Sequence, residues 1–236
     1  MSIRRGATLG EQVYAYIRKN IVMGVYTSGQ ILVESELASE LQVSRTPVSN
    51  AVIMLKERGL LEDRAGKPEV PRLSLKDVTD LYRCRLALDA LATRAAAEII
   101  TPRDLARLAR DLEDWHEPTV DGDRTALWVS DLGFHATIYK ASGNRHLLRF
   151  AQIATELSAV YRHRTVRPLR AGAAGPLRDE DDIRREHLQI LDALRDQDPA
   201  AAERAARSHI ENVIEHLHRS EVTGADADMD YVTENA

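Results

Sequence analysis

Residues 34–55 read ESELASELQVSRTPVSNAVIML. Two short helices fit this stretch, over about 35–41 and 45–58, joined by Gln42-Val43-Ser44. Leu37, Leu41, Val48, Val52 and Leu55 supply apolar contacts at helical spacing. Ala38 is small where two helices must approach closely. Ser44 suits the N-cap of the second helix, which places Arg45 and Thr46 at its exposed N-terminal end. In a helix-turn-helix that end enters the major groove of DNA, where side chains reach base edges and backbone amides face phosphate.

The flanks extend the same reading. Residues 10–24 (GEQVYAYIRKNIVMG) form a helix on the spacing of Val13, Ile17 and Ile21, with Gly24 to end it. Residues 60–64 and 69–73 read as two short strands around the turn Ala65-Gly66-Lys67-Pro68. Helix, helix-turn-helix, then hairpin is the order of a winged helix domain, expected over residues 1–73.

The run SELASELQVSRTPVSNAV, residues 35–52, resembles the winged helix of the GntR family, whose pattern centres on LA-x-x-L-G-V-S-R-T-P-V-R-E-A-L. The likeness spans roughly residues 10–72 and includes the GLL at 59–61. It implies a bacterial transcription regulator in which Ser44, Arg45 and Thr46 on the helix, with Gly66 and Lys67 on the wing, contact double-stranded DNA. The sequence departs from the pattern at Gln42, where the family has Gly, which costs on the order of 1 kcal/mol if the turn imposes positive φ. Ser49-Asn50 stands where the family has Arg-Glu, so one basic contact is missing. Ser35 stands where many members have Arg.

A formal charge of −5 over 236 residues looks wrong for a DNA binder. It is unevenly spread. Residues 1–73 hold 10 Lys/Arg against 8 Asp/Glu, and the remainder holds 22 against 29. Phosphate affinity depends on local basic groups, so only the first part is expected to touch DNA. The single Cys84 excludes an intramolecular disulfide and fits a reducing cytoplasm. No apolar run has the length of a signal peptide or a membrane span. Cys84 itself is expected to be a small packing residue.

After residue 73 the pattern changes to long helices. Ser74-Leu75-Lys76-Asp77 is a capping-box pattern starting a helix to about Ile100. Thr101-Pro102-Arg103-Asp104 and Asp198-Pro199 start others, and further helices fit 124–142, 145–166, 180–196 and 199–220. The expectation is a mainly α protein: the winged helix followed by an antiparallel bundle of six or seven helices over 74–220. Residues 167–179 read as a loop. The tail 221–236, with five acids and no base, reads as disordered.

Polar residues interrupt the apolar stripes of that bundle. Asp131 and His135 lie at i and i+4 on one face, flanked by Trp128 and Ile138. His187 shares a stripe with Ile183, Ile190 and Leu194, and His209 lies between Ala206 and Val213. Such a His/carboxylate set suits Zn²⁺, Ni²⁺ or a similar divalent metal. Taken singly, each such His is more often a hydrogen-bonded core residue than a ligand, and Asp131–His135 alone also reads as a helix ion pair.

Asp131-Leu132-Gly133-Phe134-His135, then ASGN at 141–144, then Glu186-His187-Leu188-Gln189-Ile190-Leu191, resemble the FCD ligand-binding domain of the FadR subfamily over about 76–219. The likeness implies a divalent metal held by Asp131, His135, His187 and His209, and a homodimer that binds a palindromic operator. His146, His163, His216 and His218 match no ligand position. Arg85, on the stripe Val78, Leu81, Leu88, Ala92, needs an anionic partner. That partner is Asp89, four residues on, or the carboxylate of a small organic acid effector held bidentately. A metal-dependent hydrolase is the rival from another class, since an Asp/His₃ site with open positions could activate water. No further general base stands out for it.

Overall fold

The computed structural model describes residues 7–113, 125–166 and 179–224. Trp128 and His163, the loop expected over 167–179 up to residue 178, and the tail beyond 224 fall outside what is described, as side chains or as whole segments. The chain divides into two compact units. The first comprises residues 1–74 and 156–167, the second residues 75–155 and 168–236.

In the first unit, α1 (Leu9–Val22), α2 (Glu34–Glu40) and α3 (Arg45–Glu57) precede an antiparallel hairpin of β1 (Glu62–Arg64) and β2 (Lys67–Glu69). Thr8 and Glu11 close a capping box on α1, which satisfies two amides that helix geometry leaves without partners. Val13, Ile17 and Ile21 of α1 meet Leu37, Val48, Val52 and Leu55 in one apolar core. Gln42 takes φ 54° between α2 and α3, so the residue that replaces the family's glycine does carry left-handed backbone.

The wing is tighter than the sequence suggests. Its turn is only Ala65-Gly66, with φ of 51° and 79°, the doubly left-handed geometry of a two-residue hairpin turn. β2 therefore begins at Lys67, not residue 69, and Pro68 pairs with Asp63 inside the ladder. Leu60 and Leu61 are not in the sheet at all but are buried in the core. Glu69 anchors the base of the hairpin, accepting from Arg72 at 2.7 Å and Arg64 at 3.2 Å.

The second unit is built from α4 (Leu75–Ile99), α5 (Pro102–Glu113), α6 (Thr125–Ala141), the first half of α7 (Arg145–Val166), α8 (Glu180–Arg195) and α9 (Pro199–Gly224). Two of the expected caps form, at Thr101 and Asp198. Thr101 Oγ1 accepts from the Asp104 amide at 3.2 Å, and Asp198 accepts from the amides of Ala200 and Ala201. ASGN works as a corner: Gly143 supplies φ 67° after α6, and Asn144 Oδ1 caps α7 by accepting from His146 and Leu147 amides. α9 runs four residues past Ser220, so the tail is helical through residue 224. Ala92, Ala96 and Ala97 are buried on α4, where small side chains let α9 pack along it. Cys84 is exposed rather than a core packing residue, because it lies about 100° around α4 from the buried Arg85.

No helix among the described residues is long and apolar enough to cross a membrane.

Candidate functional site

Each unit presents one set of residues that the sequence singles out. On the first unit, Ser44 is the N-cap of α3, but its side chain makes no capping hydrogen bond. Ser44, Arg45 and Thr46 are exposed, as are Gly66 and Lys67 at the wing tip. Neither Arg45 nor Lys67 has an ion-pair partner among the described residues. Two cations kept free of intramolecular carboxylates can meet phosphate or base edges at full strength. Gly66 has open space where a Cβ would point, so its requirement is the backbone angle rather than room. Ser49 donates a short hydrogen bond to the Glu34 carboxylate. It thus occupies a partner on α2 rather than facing outward.

On the second unit, α6, α8 and α9 bring Asp131, His135, His187 and His209 together. One ligand-type atom from each lies within 4.8 Å of all the others. All four side chains are buried. Asp131 Oδ1 is 3.7 Å from His135 Nε2 and 3.6 Å from His187 Nε2. Tetrahedral ligands at about 2.1 Å from a metal stand roughly 3.4 Å apart, close to these separations. His135 Nε2 is buried without a hydrogen-bond partner, an arrangement that costs free energy unless something else occupies its lone pair.

Electrostatics favour the ligand forms of two imidazoles. Burial, then the nearby Arg85 cation, pushes His135 well below the ordinary histidine range. Burial, then His209, pushes His187 down to about 3. Both are therefore neutral and can offer a lone pair near pH 7.

A carboxylate frame surrounds the four. Arg85 is buried on α4 and donates to Asp89 at 3.1 Å. Tyr139 of α6 donates a short hydrogen bond to the same carboxylate and lies 3.4 Å from Thr155 Oγ1 of α7. Burial, then the Asp89 charge, raises the Tyr139 hydroxyl, so it stays a donor. Asp89 Oδ2 is 3.6 Å from His135 Nδ1. Glu186 meets His209 Nδ1 at 2.7 Å and Asn212 Nδ2 at 2.7 Å. One guanidinium and three carboxylates (Asp89, Asp131, Glu186) carry a formal charge of −2 between them, which a divalent cation would balance. The donor set, the orphaned lone pair and the charge all fit a divalent metal ion.

Sequence reasoning found the four converging residues and the Arg85–Asp89 pair. It passed over Tyr139 and Thr155, whose hydroxyls look ordinary in sequence, and it gave Glu186 and Asn212 no role. The i, i+4 spacing of Tyr139 from His135 was the available signal for the first of these.

The comparisons with known proteins concern the two halves of the chain as families. Residues 9–68 match the gntR family of bacterial regulatory proteins, and residues 80–212 match the FCD domain. The chain belongs to the GntR family of bacterial transcription regulators. Its FCD domain fits the FadR-like subfamily. A probable D-xylose utilization operon transcriptional repressor of Paenarthrobacter nicotinovorans is 30% identical over 205 residues, 86% of each chain. The HTH-type transcriptional regulator YdhC of Bacillus subtilis (strain 168) is 28% identical over 209 residues, 87% of this chain and 89% of its own length. E. coli McbR/YncC has the same fold, with a TM-score of 0.77 at 22% identity, covering 91% of this chain and 99% of that one. These relatives are regulators rather than enzymes, and the hydrolase reading is set aside.

Proposed function

We propose that this GntR-family regulator acts as a repressor whose hold on its operator is controlled by a small organic acid bound at a metal centre in the FCD domain. Residues 1–73 serve as the DNA-binding domain and residues 74–220 as the receptor. Asp131, His135, His187 and His209 would hold a divalent ion, Zn²⁺ or Ni²⁺ by their donor chemistry. When bound, such an ion supplies a Lewis-acid position for an effector carboxylate. The observation that carries this reading is the burial of one carboxylate and three imidazoles with their donor atoms turned toward one another.

Arg85 anchors the effector by sharing its guanidinium between Asp89 and the incoming carboxylate. Its Nε is buried and makes no hydrogen bond to the protein, so one donor remains available to a planar anion. Asp89 holds the guanidinium in place, and Tyr139 holds Asp89. A homodimer presents two α3 helices to a palindromic operator. There Arg45 and Thr46 read base edges, Ser44 and Gly66 face the backbone, and Lys67 takes a phosphate. Control requires the effector to favour one arrangement of the DNA-binding domains over the other.

Thermal-shift measurements on a panel of small carboxylic acids, with and without added Zn²⁺ or Ni²⁺, test the receptor. The expected result is stabilisation by metal, and further stabilisation by some acids only when metal is present. Purified protein that takes up no divalent ion after metal addition would reject the proposal.

A further inference from the structure

Three of the four converging residues reach the cluster from histidine rings, and a ring can present either of two nitrogens. A metal-binding imidazole performs best when a second group fixes which one. Such outer partners orient the ring and raise its basicity, and their loss weakens metal affinity by roughly 10–100-fold.

The surroundings of the three rings differ in this respect. His135 Nδ1 lies 3.6 Å from Asp89, beyond hydrogen-bond range, and Asp89 is already engaged by Arg85 and Tyr139. His187 stacks on Phe134, with centroids 4.5 Å apart and planes 25° from parallel, so packing sets its orientation. His209 carries a direct carboxylate contact through Nδ1, to Glu186 at 2.7 Å. The carboxylate is itself held, because Asn212 Nδ2 donates to its other oxygen at 2.7 Å. Glu186 has only 13% side-chain exposure and His209 only 4%.

The spacing explains why these residues meet. Glu186 precedes the ligand His187 by one residue on α8, so its side chain points about 100° away from the cluster. It reaches sideways to α9, where Asn212 lies three residues after His209 on one helix face.

We propose that Glu186 is a positioning residue for the metal centre: it accepts the Nδ1 proton of His209 and so commits the Nε2 lone pair to the metal, with Asn212 holding the carboxylate in place. The inference rests on the metal-binding reading above. It adds that the dyad Glu186–His209 is set before any ion arrives. One negative charge from outside the ligand set then contributes to affinity.

Two measurements on the full-length protein test it. Long-range ¹H–¹⁵N spectra of the metal-free protein report the tautomer of His209, and the expected result is Nδ1–H. Competition of wild-type, Glu186→Gln and Asn212→Ala proteins against a chromophoric chelator reports Zn²⁺ affinity. Co²⁺ substitution reports the ligand field through its visible bands. Glu186→Gln, nearly isosteric, is expected to weaken Zn²⁺ by 10–100-fold and shift the Co²⁺ bands. Asn212→Ala is expected to weaken it severalfold. A purely structural Glu186 would lower melting temperature while leaving Zn²⁺ affinity and Co²⁺ bands unchanged, and that result overturns the inference. An Nε2–H tautomer in the wild type does so as well. If the wild type binds neither ion, the metal reading falls and takes this inference with it. If it binds and Glu186→Gln binds equally, only the inference falls.

Discussion

The two units keep their polar chemistry in opposite places. In the first, the core is aliphatic, and the residues proposed to contact DNA stand outside it, on the first turn of α3 and at the tip of the wing. In the second, the aliphatic core around Phe134, Ile138, Ile190 and Leu194 adjoins an interior of charged and imidazole groups. A surface reader can lose a functional side chain without leaving a hole or an unpaired charge. Side chains buried in the second unit cannot be lost in this way, because Arg85, Asp89 and Tyr139 each also satisfy a neighbour. Function and stability are therefore separable in the first unit and joined in the second.

The sharpest way to break this contrast is Arg85→Ala. Removing one member of a buried ion pair leaves Asp89 charged and uncompensated, at about 3–5 kcal/mol. Denaturant unfolding should show that loss even with no effector present. A stability change below about 1 kcal/mol would mean the pair is solvated and the contrast is false. Next in size is metal itself. Zn²⁺ at about 100 times its dissociation constant should stabilise the protein by about 2.7 kcal/mol, read as a rise in melting temperature reversed by a chelator.

Arg45→Ala probes the opposite behaviour. Gel shifts should show at least a tenfold loss of operator affinity, while the melting temperature stays within a degree of wild type, since the guanidinium has no ion-pair partner among the described residues. Ser49→Arg would sharpen the same point by adding one cation to α3. If the new side chain reaches a phosphate, the slope of log affinity against log salt should steepen by about 0.9. The smallest effect is expected from Gln42→Gly. Left-handed backbone at φ 54° costs a side-chain-bearing residue about 1 kcal/mol, partly offset by the greater unfolded-state freedom of glycine. A net gain of about half a kcal/mol or less follows.

Local sequence patterns were enough to order the elements and to single out the residues that converge. Helical periodicity is a local property, so the spacing of Val13, Ile17 and Ile21 placed α1. Thr101-Pro102 and Asp198-Pro199 likewise fixed two helix starts, because capping is decided within four residues. Asp131, His135, His187 and His209 were legible as polar interruptions of apolar stripes. The hairpin was misjudged by two residues because turn type depends on two φ angles, and nothing in Ala65 announces a positive one. Packing set the side chains of α6, α8 and α9 against one another, with Nε2 of His135 and of His187 near Asp131. It also decided that Asp89 serves Arg85 and Tyr139 together, and that the second half of α7 contributes Val160 to the core of the first unit. Those outcomes depend on contacts between residues far apart in the chain, such as Arg18 with Glu156 at 2.6 Å. No local pattern records a distance of that kind, because it is set by the packing of whole helices.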